Sequence, residues 1–308
     1  MKIGYALGGG AARGLSHIGV LKVLEEFGIF PDVVCGVSIG AVVGALYASR
    51  FSAKDIEKTA LGLNWAKIVS MADITMFSDG FVRGKRVMSL INEVLGSRTF
   101  SELHCGFACG TTDIVSGEEI VLTEGSLADA VRASYSIPGV FKPVYLNGRY
   151  LVDGGLKNVV PVSICRTLGA DYVIGVNVIP DPTSVMCRPK RGSKFEICEL
   201  SDSLINSKAL SIENRNTRFL LDNEASGKNK KTQHRKPTLW EVMSQTLTIT
   251  QYQIAKENIK DADVAISPKV EDIGYWQFHR GVDAIFAGEE ATRIALQNNP
   301  DILNDLRH

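Results

Sequence analysis

The sequence predicts an α/β protein with a parallel sheet and helices on its faces. Two strand–glycine turn–helix units occupy the first 50 residues, the arrangement that builds parallel sheets. A third signal lies further on, where an apolar run at 172–178 follows a helix opened by Pro161 and closed by Gly169. Proline at a first helical position and glycine just past the end mark helix bounds, and a continuous apolar run suits a strand covered on both sides. At 308 residues the chain is long enough for one large core or two smaller ones.

Taken in order, Ile3–Leu7 is the first strand and runs into Gly8-Gly9-Gly10-Ala11-Ala12-Arg13-Gly14. The helix that follows carries Leu15, Ile18, Leu21, Val23, Leu24 and Phe27 on an apolar face, and Gly28 stops it. Pro31 precedes a second strand at Val33 and Val34, which meets Gly36-Val37-Ser38-Ile39-Gly40 and a small-residue helix. Residues 53–61 and 86–95 read as helices, and 71–84 as an irregular stretch. A hairpin is expected from 107–115 and 119–123 around Ser116-Gly117, then a helix Leu127–Ser134 capped by Ser126. Asn147-Gly148 is a two-residue hairpin turn between Val144–Leu146 and 149–152. Its second arm delivers Asp153-Gly154-Gly155.

Composition shifts at Pro180, and residues 187–236 hold 12 Lys/Arg against 6 Asp/Glu. Residues 181–236 therefore read as a basic insertion or lid, mobile at 227–236. Thr238-Leu-Trp-Glu241 is a capping box for a helix through about Asp261. Strand Val264–Ile266 and a helix at 284–297 close the chain. The expected organisation is one catalytic domain over 1–308, with 238–308 completing the fold.

The 34 basic and 34 acidic residues cancel, so no global field recruits nucleic acid, and any attraction to a membrane surface is local. The N-terminus reads as a strand entering a glycine turn rather than a signal peptide. The longest apolar stretch, 33–48, is broken by glycines and too short to span a bilayer. Six cysteines show no Cys-x-x-Cys spacing, which favours free thiols over disulfides or zinc and places the chain in the cytoplasm, with at most peripheral membrane contact. No cofactor or metal is expected.

Gly36-x-Ser38-x-Gly40 after a strand and before a helix is the context of a nucleophile elbow. The bend strains the serine backbone and leaves room only for glycine two positions either side. It also sets the hydroxyl at a helix N-terminus, where developing negative charge is favoured. Among possible bases, His17 lies inside the first helix and reads as a buried structural histidine, while His279 is the best placed for a Ser-His-Asp triad. Asp153 ends a strand before two glycines, so other backbone and substrate can approach it closely. A carboxylate at its ordinary pKa of ~3.9 is a weak base for a serine, and desolvation would strengthen it. Gly8, Gly9 and Gly10 offer consecutive N–H groups as an oxyanion nest, and Arg13 is a candidate for a substrate phosphate or for a structural ion pair. A dinucleotide loop is the competing reading, but Gly8-x-Gly10-x-x-x-Gly14 is one residue too long for it. Met71, Met76, Phe77 and Phe81 are candidates for an acyl-chain pocket or for ordinary core.

Together Gly8–Gly14, Ser16-His17-Ile18-Gly19-Val20-Leu21, Gly36-Val37-Ser38-Ile39-Gly40-Ala41, Ala133-Ser134-Tyr135-Ser136-Ile137-Pro138 and Asp153-Gly154-Gly155 resemble the patatin-like phospholipase family. The resemblance covers roughly 3–180 plus the closing strand and helix, and is nearest to compact bacterial and archaeal members related to the neuropathy-target-esterase group. It implies a three-layer α/β/α sandwich and a Ser38–Asp153 dyad, with the Gly8–Gly10 backbone as oxyanion hole. The implied reaction is hydrolysis of fatty-acyl esters of phospholipids or lysophospholipids. A soluble carboxylesterase with a His279 triad and a non-enzymatic regulator on the same scaffold are the alternatives. One departure is visible: the family's Gly-x-Gly-x-x-Gly, ending at Gly14, would put glycine where Ala11 stands.

Overall fold

The computed structural model describes residues 1–63, 91–183 and 239–299. Eight strands form one sheet: β1 (Ile3–Leu7), β2 (Val33–Val37), β3 (Gly106–Asp113), β4 (Glu119–Leu122), β5 (Val144–Leu146), β6 (Arg149–Asp153), β7 (Tyr172–Val176) and β8 (Val264–Ile266). Their order is β5-β6-β3-β2-β1-β7-β8, with β4 also pairing β3. The run β8-β7-β1-β2-β3 is parallel throughout. β4 and β6 are antiparallel to β3.

Seven helices are described in full: α1 (Ser16–Glu26), α2 (Ile39–Ala48), α3 (Ala53–Gly62), α4 (Leu127–Ser134), α5 (Val162–Thr167), α6 (Leu239–Asn258) and α7 (Gly281–Asn298). They cover both faces of the sheet, because alternate strand residues point opposite ways. Tyr5, Leu7, Val34 and Ile174 join the larger core with Ile18, Leu21 and Leu24 of α1. Ala6, Val33, Cys35, Ala108 and Val173 face the smaller core with Val162, Ile164 and Cys165 of α5. The second face is lined by small residues, and a Cβ on Gly4 would stand 2.8 Å from that of Ala170. This lets α5 and its flanks lie close to the strands. The three-layer α/β/α expectation is met.

The hairpin turn at Asn147-Gly148 has φ of 50° and 78°, the pair of positive values that a two-residue turn requires. Ser126 caps α4 through the Asp129 N–H at 3.3 Å. On the outer layer α1 and α7 touch backbone to backbone, since a Cβ on Gly19 would lie 1.9 Å from the Ile285 carbonyl oxygen and one on Gly288 2.0 Å from that of Ser16. Lys22 closes the seam against Glu289 at 2.6 Å and Glu57 at 3.0 Å.

Several element bounds differ from expectation, among them the following. A 3-10 turn, Ala11–Leu15, precedes α1, because the Ala12 N–H is drawn out to the Tyr275 carbonyl at 3.1 Å. β7 stops at Val176, where Asn177 turns the chain by accepting the Ile179 N–H at 2.9 Å. α6 ends at Asn258 and gives way to a 3-10 turn through Asp261. The irregular stretch 71–84 with Met71, Met76, Phe77 and Phe81, the basic segment 187–236 and the Thr238 cap lie outside the described residues. Of the helix expected at 86–95, residues 91–95 are described and helical.

Candidate active site

The register of β3 explains how two residues far apart in sequence come to share one site. Along β3, Gly110 faces Val37 of β2 on one edge and Val121 of β4 on the other. The next residue, Thr111, faces Ile120 of β4 and Asp153 of β6. β4 keeps its edge, so β6 takes over the edge that β2 has just left. One strand runs up and the other down, and their C-terminal ends meet head to head. Ser38 follows the last residue of β2, and Asp153 is the last residue of β6.

The elbow has the conformation that the motif predicts. Ser38 sits at φ 55° and ψ −121°, a strained region for a residue with a Cβ. A Cβ on Gly36 would stand 2.4 Å from the Gly40 carbonyl oxygen, and one on Gly40 2.1 Å from that of Leu7. On the other side, a Cβ on Gly154 would stand 2.3 Å from the Gly110 carbonyl oxygen. These contacts explain why glycines flank both residues.

Ser38 and Asp153 are 4% and 3% exposed. Burial raises the Asp153 carboxyl to about 6, opposed by the Ser38 hydroxyl and the Gly155 N–H, both of which favour the carboxylate. Oδ1 accepts the Gly155 N–H at 2.8 Å. Oδ2 is buried with no hydrogen-bond partner among the described residues.

The glycine loop lies against this pair, with a Cβ on Gly9 falling 3.4 Å from Ser38 Cβ. Two of its three expected oxyanion donors are spent. Gly8 N–H donates to the Val176 carbonyl at 3.1 Å and Gly9 N–H to the Val159 carbonyl at 3.0 Å. Both amides are held by neighbouring backbone, which fixes the loop. Among the described residues the Gly10 and Ala11 N–H groups have no acceptor. Ala11, where the family pattern asks for glycine, has φ 50°. The Ile39 N–H, which opens α2, stands where elbows supply a second donor.

His17 is fully buried, and its Nε2 donates to the Gly8 carbonyl at 2.8 Å. Burial lowers its pKa to about 4, so it is a neutral brace for the loop. Arg13 is turned into the protein. It is 2% exposed, its Nε donates to the Ile273 carbonyl at 2.7 Å, and its guanidinium lies 5.9 Å from the Tyr275 ring centre. Burial lowers its pKa, and no carboxylate pairs with it among the described residues. His279 is exposed on a short 3-10 turn, Phe278–Arg280. No described histidine hydrogen-bonds Ser38 or Asp153.

Three contributors carried no assigned role at the sequence level. Ser134, in a motif noted only for its resemblance, accepts the Ser38 N–H through Oγ at 2.9 Å. The Ser136 carbonyl accepts the Asp153 N–H at 3.0 Å. Tyr275 has a raised pKa, through burial first and the nearby Asp153 charge second, and its hydroxyl faces Gln251. No local pattern marks Tyr275. Beside these lies a narrow apolar cleft of only about 10 Å³ lined by Ile137, Pro138, Val140, Met243, Leu247, Tyr275 and Trp276. A larger, open concavity lined by residues including Arg50, Asp55, Lys58 and Arg98 includes neither Ser38 nor Asp153. Among the described residues no cluster of ligating side chains is suited to a metal ion, and no helix is long and apolar enough to cross a membrane.

Residues 5–166 match the family model described as Patatin-like phospholipase. The chain belongs to this family. Patatin-like phospholipase domain-containing protein 6 of Mus musculus is 38% identical over 183 residues, which is 57% of this chain and 13% of that protein. The neuropathy target esterase sws of Drosophila melanogaster is 35% identical over the same span, again 57% and 13%. An NTE family protein of Mycobacterium bovis is 30% identical over 303 residues, 98% of this chain and 47% of that protein. The chain thus spans under half the length of these relatives. VipD from Legionella pneumophila, a solved structure, aligns at TM-score 0.46 and 16% identity over 100% of this chain and 81% of its own.

Proposed function

We propose that the chain hydrolyses fatty-acyl esters of phospholipids or lysophospholipids through Ser38 and Asp153. The observation that carries this reading is the head-to-head meeting of β2 and β6, which puts a buried carboxylate of raised pKa beside a serine on a strained bend. Asp153 accepts the hydroxyl proton as Ser38 Oγ attacks the ester carbonyl. The Gly10 N–H, with Ala11 or Ile39, holds the resulting oxyanion. Collapse expels the alcohol, which takes the proton from Asp153. Water, deprotonated by Asp153, then releases the fatty acid from the acyl-serine.

Val242, Met243 and Ile249 on α6 are exposed, and Met243 also lines the narrow apolar cleft, which supports peripheral contact with a lipid surface. Phospholipase and esterase in the relatives' names supply the substrate class. The test is turnover of p-nitrophenyl acyl esters and of lysophosphatidylcholine, with fluorophosphonate labelling. Wild type is expected to turn over and to label at Ser38. Ser38→Ala should do neither, and Asp153→Ala should lose turnover, while His279→Ala keeps both. Loss of activity in a folded His279→Ala protein would overturn the dyad.

A further inference from the structure

We propose that Ser134 is a positioning residue for Ser38, acting as a hydroxyl spacer where β2 leaves the sheet. At the elbow the Ser38 N–H and the Gly110 carbonyl lose direct strand pairing. The Ser134 side chain stands between them: Oγ accepts the Ser38 N–H at 2.9 Å and donates to the Gly110 carbonyl at 2.7 Å. Ser134 is the last residue of α4 and fully buried, so its hydroxyl has no solvent to turn to. Two residues on, the Ser136 carbonyl takes the Asp153 N–H at 3.0 Å. One short turn therefore grips the backbone of both members of the pair.

That turn is itself braced. Ser136 Oγ bonds the Arg132 carbonyl at 2.7 Å and accepts from the Arg132 guanidinium. Arg132 also reaches the Lys142 carbonyl at 3.1 Å and lies over the Tyr135 and Phe141 rings. The same turn continues into Ile137, Pro138 and Val140 of the apolar cleft. Because the Ser38 N–H is committed to Ser134, it takes no part in oxyanion binding. The spacer's role is geometric. Removing the hydroxyl lets the Ser38 amide fall toward the Gly110 carbonyl and draws Oγ away from Asp153.

This inference rests on Ser38 being the nucleophile, and Ser38→Ala is the control for that reading. The experiment compares wild type, Ser134→Ala and Ser134→Cys, with kcat expressed per site titrated by a fluorophosphonate, alongside KM and the pH profile. Ser134→Ala is expected to lose about 100-fold in kcat, the scale of an ångström misplacement, with KM within about twofold. Ser134→Cys, which keeps a weaker donor and acceptor in place, should fall between. The acid limb, at about 6 in wild type, should move upward in Ser134→Ala, since Asp153 keeps its burial and loses the Ser38 hydroxyl that favours its carboxylate. Two results overturn the proposal. One is a Ser134→Ala protein with normal kcat per titrated site, even if it is less stable. The other is a Ser134→Cys protein whose kcat loss is matched by an equal rise in KM. If Ser38→Ala keeps full turnover, the nucleophile assignment fails and the spacer role with it.

Discussion

Replacing Asp153 by asparagine separates the energetic consequence of its burial from the chemistry assigned to it. Asparagine preserves the size of the side chain and an oxygen for the Gly155 N–H, but it never ionises. In the wild type, burial raises the carboxyl from 3.8 to about 6, so the folded state holds the proton more tightly than the unfolded chain. Folding is then unhindered below about pH 3.8 and grows costlier as pH rises through 6. The full cost is about 3 kcal/mol, from roughly 1.4 kcal/mol per pH unit. Most of it accrues between about pH 4 and pH 7.

The assay is urea unfolding of both proteins across that range, reading only the difference, so that groups common to the two cancel. Asp153→Asn should gain about 3 kcal/mol on the wild type between acid and neutral pH, while losing ester turnover. Wild-type kcat should rise with pH through about 6, tracking formation of the carboxylate. Parallel stability curves for the two proteins would refute the claim that Asp153 is a desolvated base.

Three further outcomes are expected. Ser38→Ala removes a group that favours the Asp153 carboxylate, so in the same unfolding series the loss of stability should begin at the same pH but continue to higher pH and reach a larger total. Gly154→Ala forces a methyl to within 2.3 Å of the Gly110 carbonyl oxygen, so it should destabilise by several kcal/mol and cost more than 10-fold in kcat, read by thermal melting and ester turnover. Ala11→Gly relieves the positive φ and should stabilise by about 1 kcal/mol in urea with little effect on KM.

Much of the architecture was legible because it is encoded over a few residues at a time. Apolar runs marked β1, β2 and β7, Asn147-Gly148 marked the β5–β6 turn, and Ser126 marked the start of α4. Gly36 and Gly40 announced a strained residue between them, and Ser38 has that geometry. The glycine loop was legible as a loop but not in its hydrogen bonding. Whether an N–H is free depends on which carbonyl lies opposite, and those of Val159 and Val176 are supplied from distant parts of the chain. Arg13's surroundings were not legible either: its charge suggested a substrate phosphate or a structural ion pair, while packing places it on the Ile273 carbonyl and the Tyr275 ring.

The sequence by itself determined the strands, the bends and the two candidate side chains, because dihedral limits and hydrophobic periodicity act locally. Only the tertiary structure decided that Asp153 meets Ser38, since that follows from β6 taking up the edge of β3 that β2 vacates. It alone decided that Ser134 stands between Ser38 and Gly110, and that the carboxyl is buried enough for its pKa to rise. Registers between strands and the loss of solvent around a group are properties of the assembled fold, which no stretch of neighbouring residues contains.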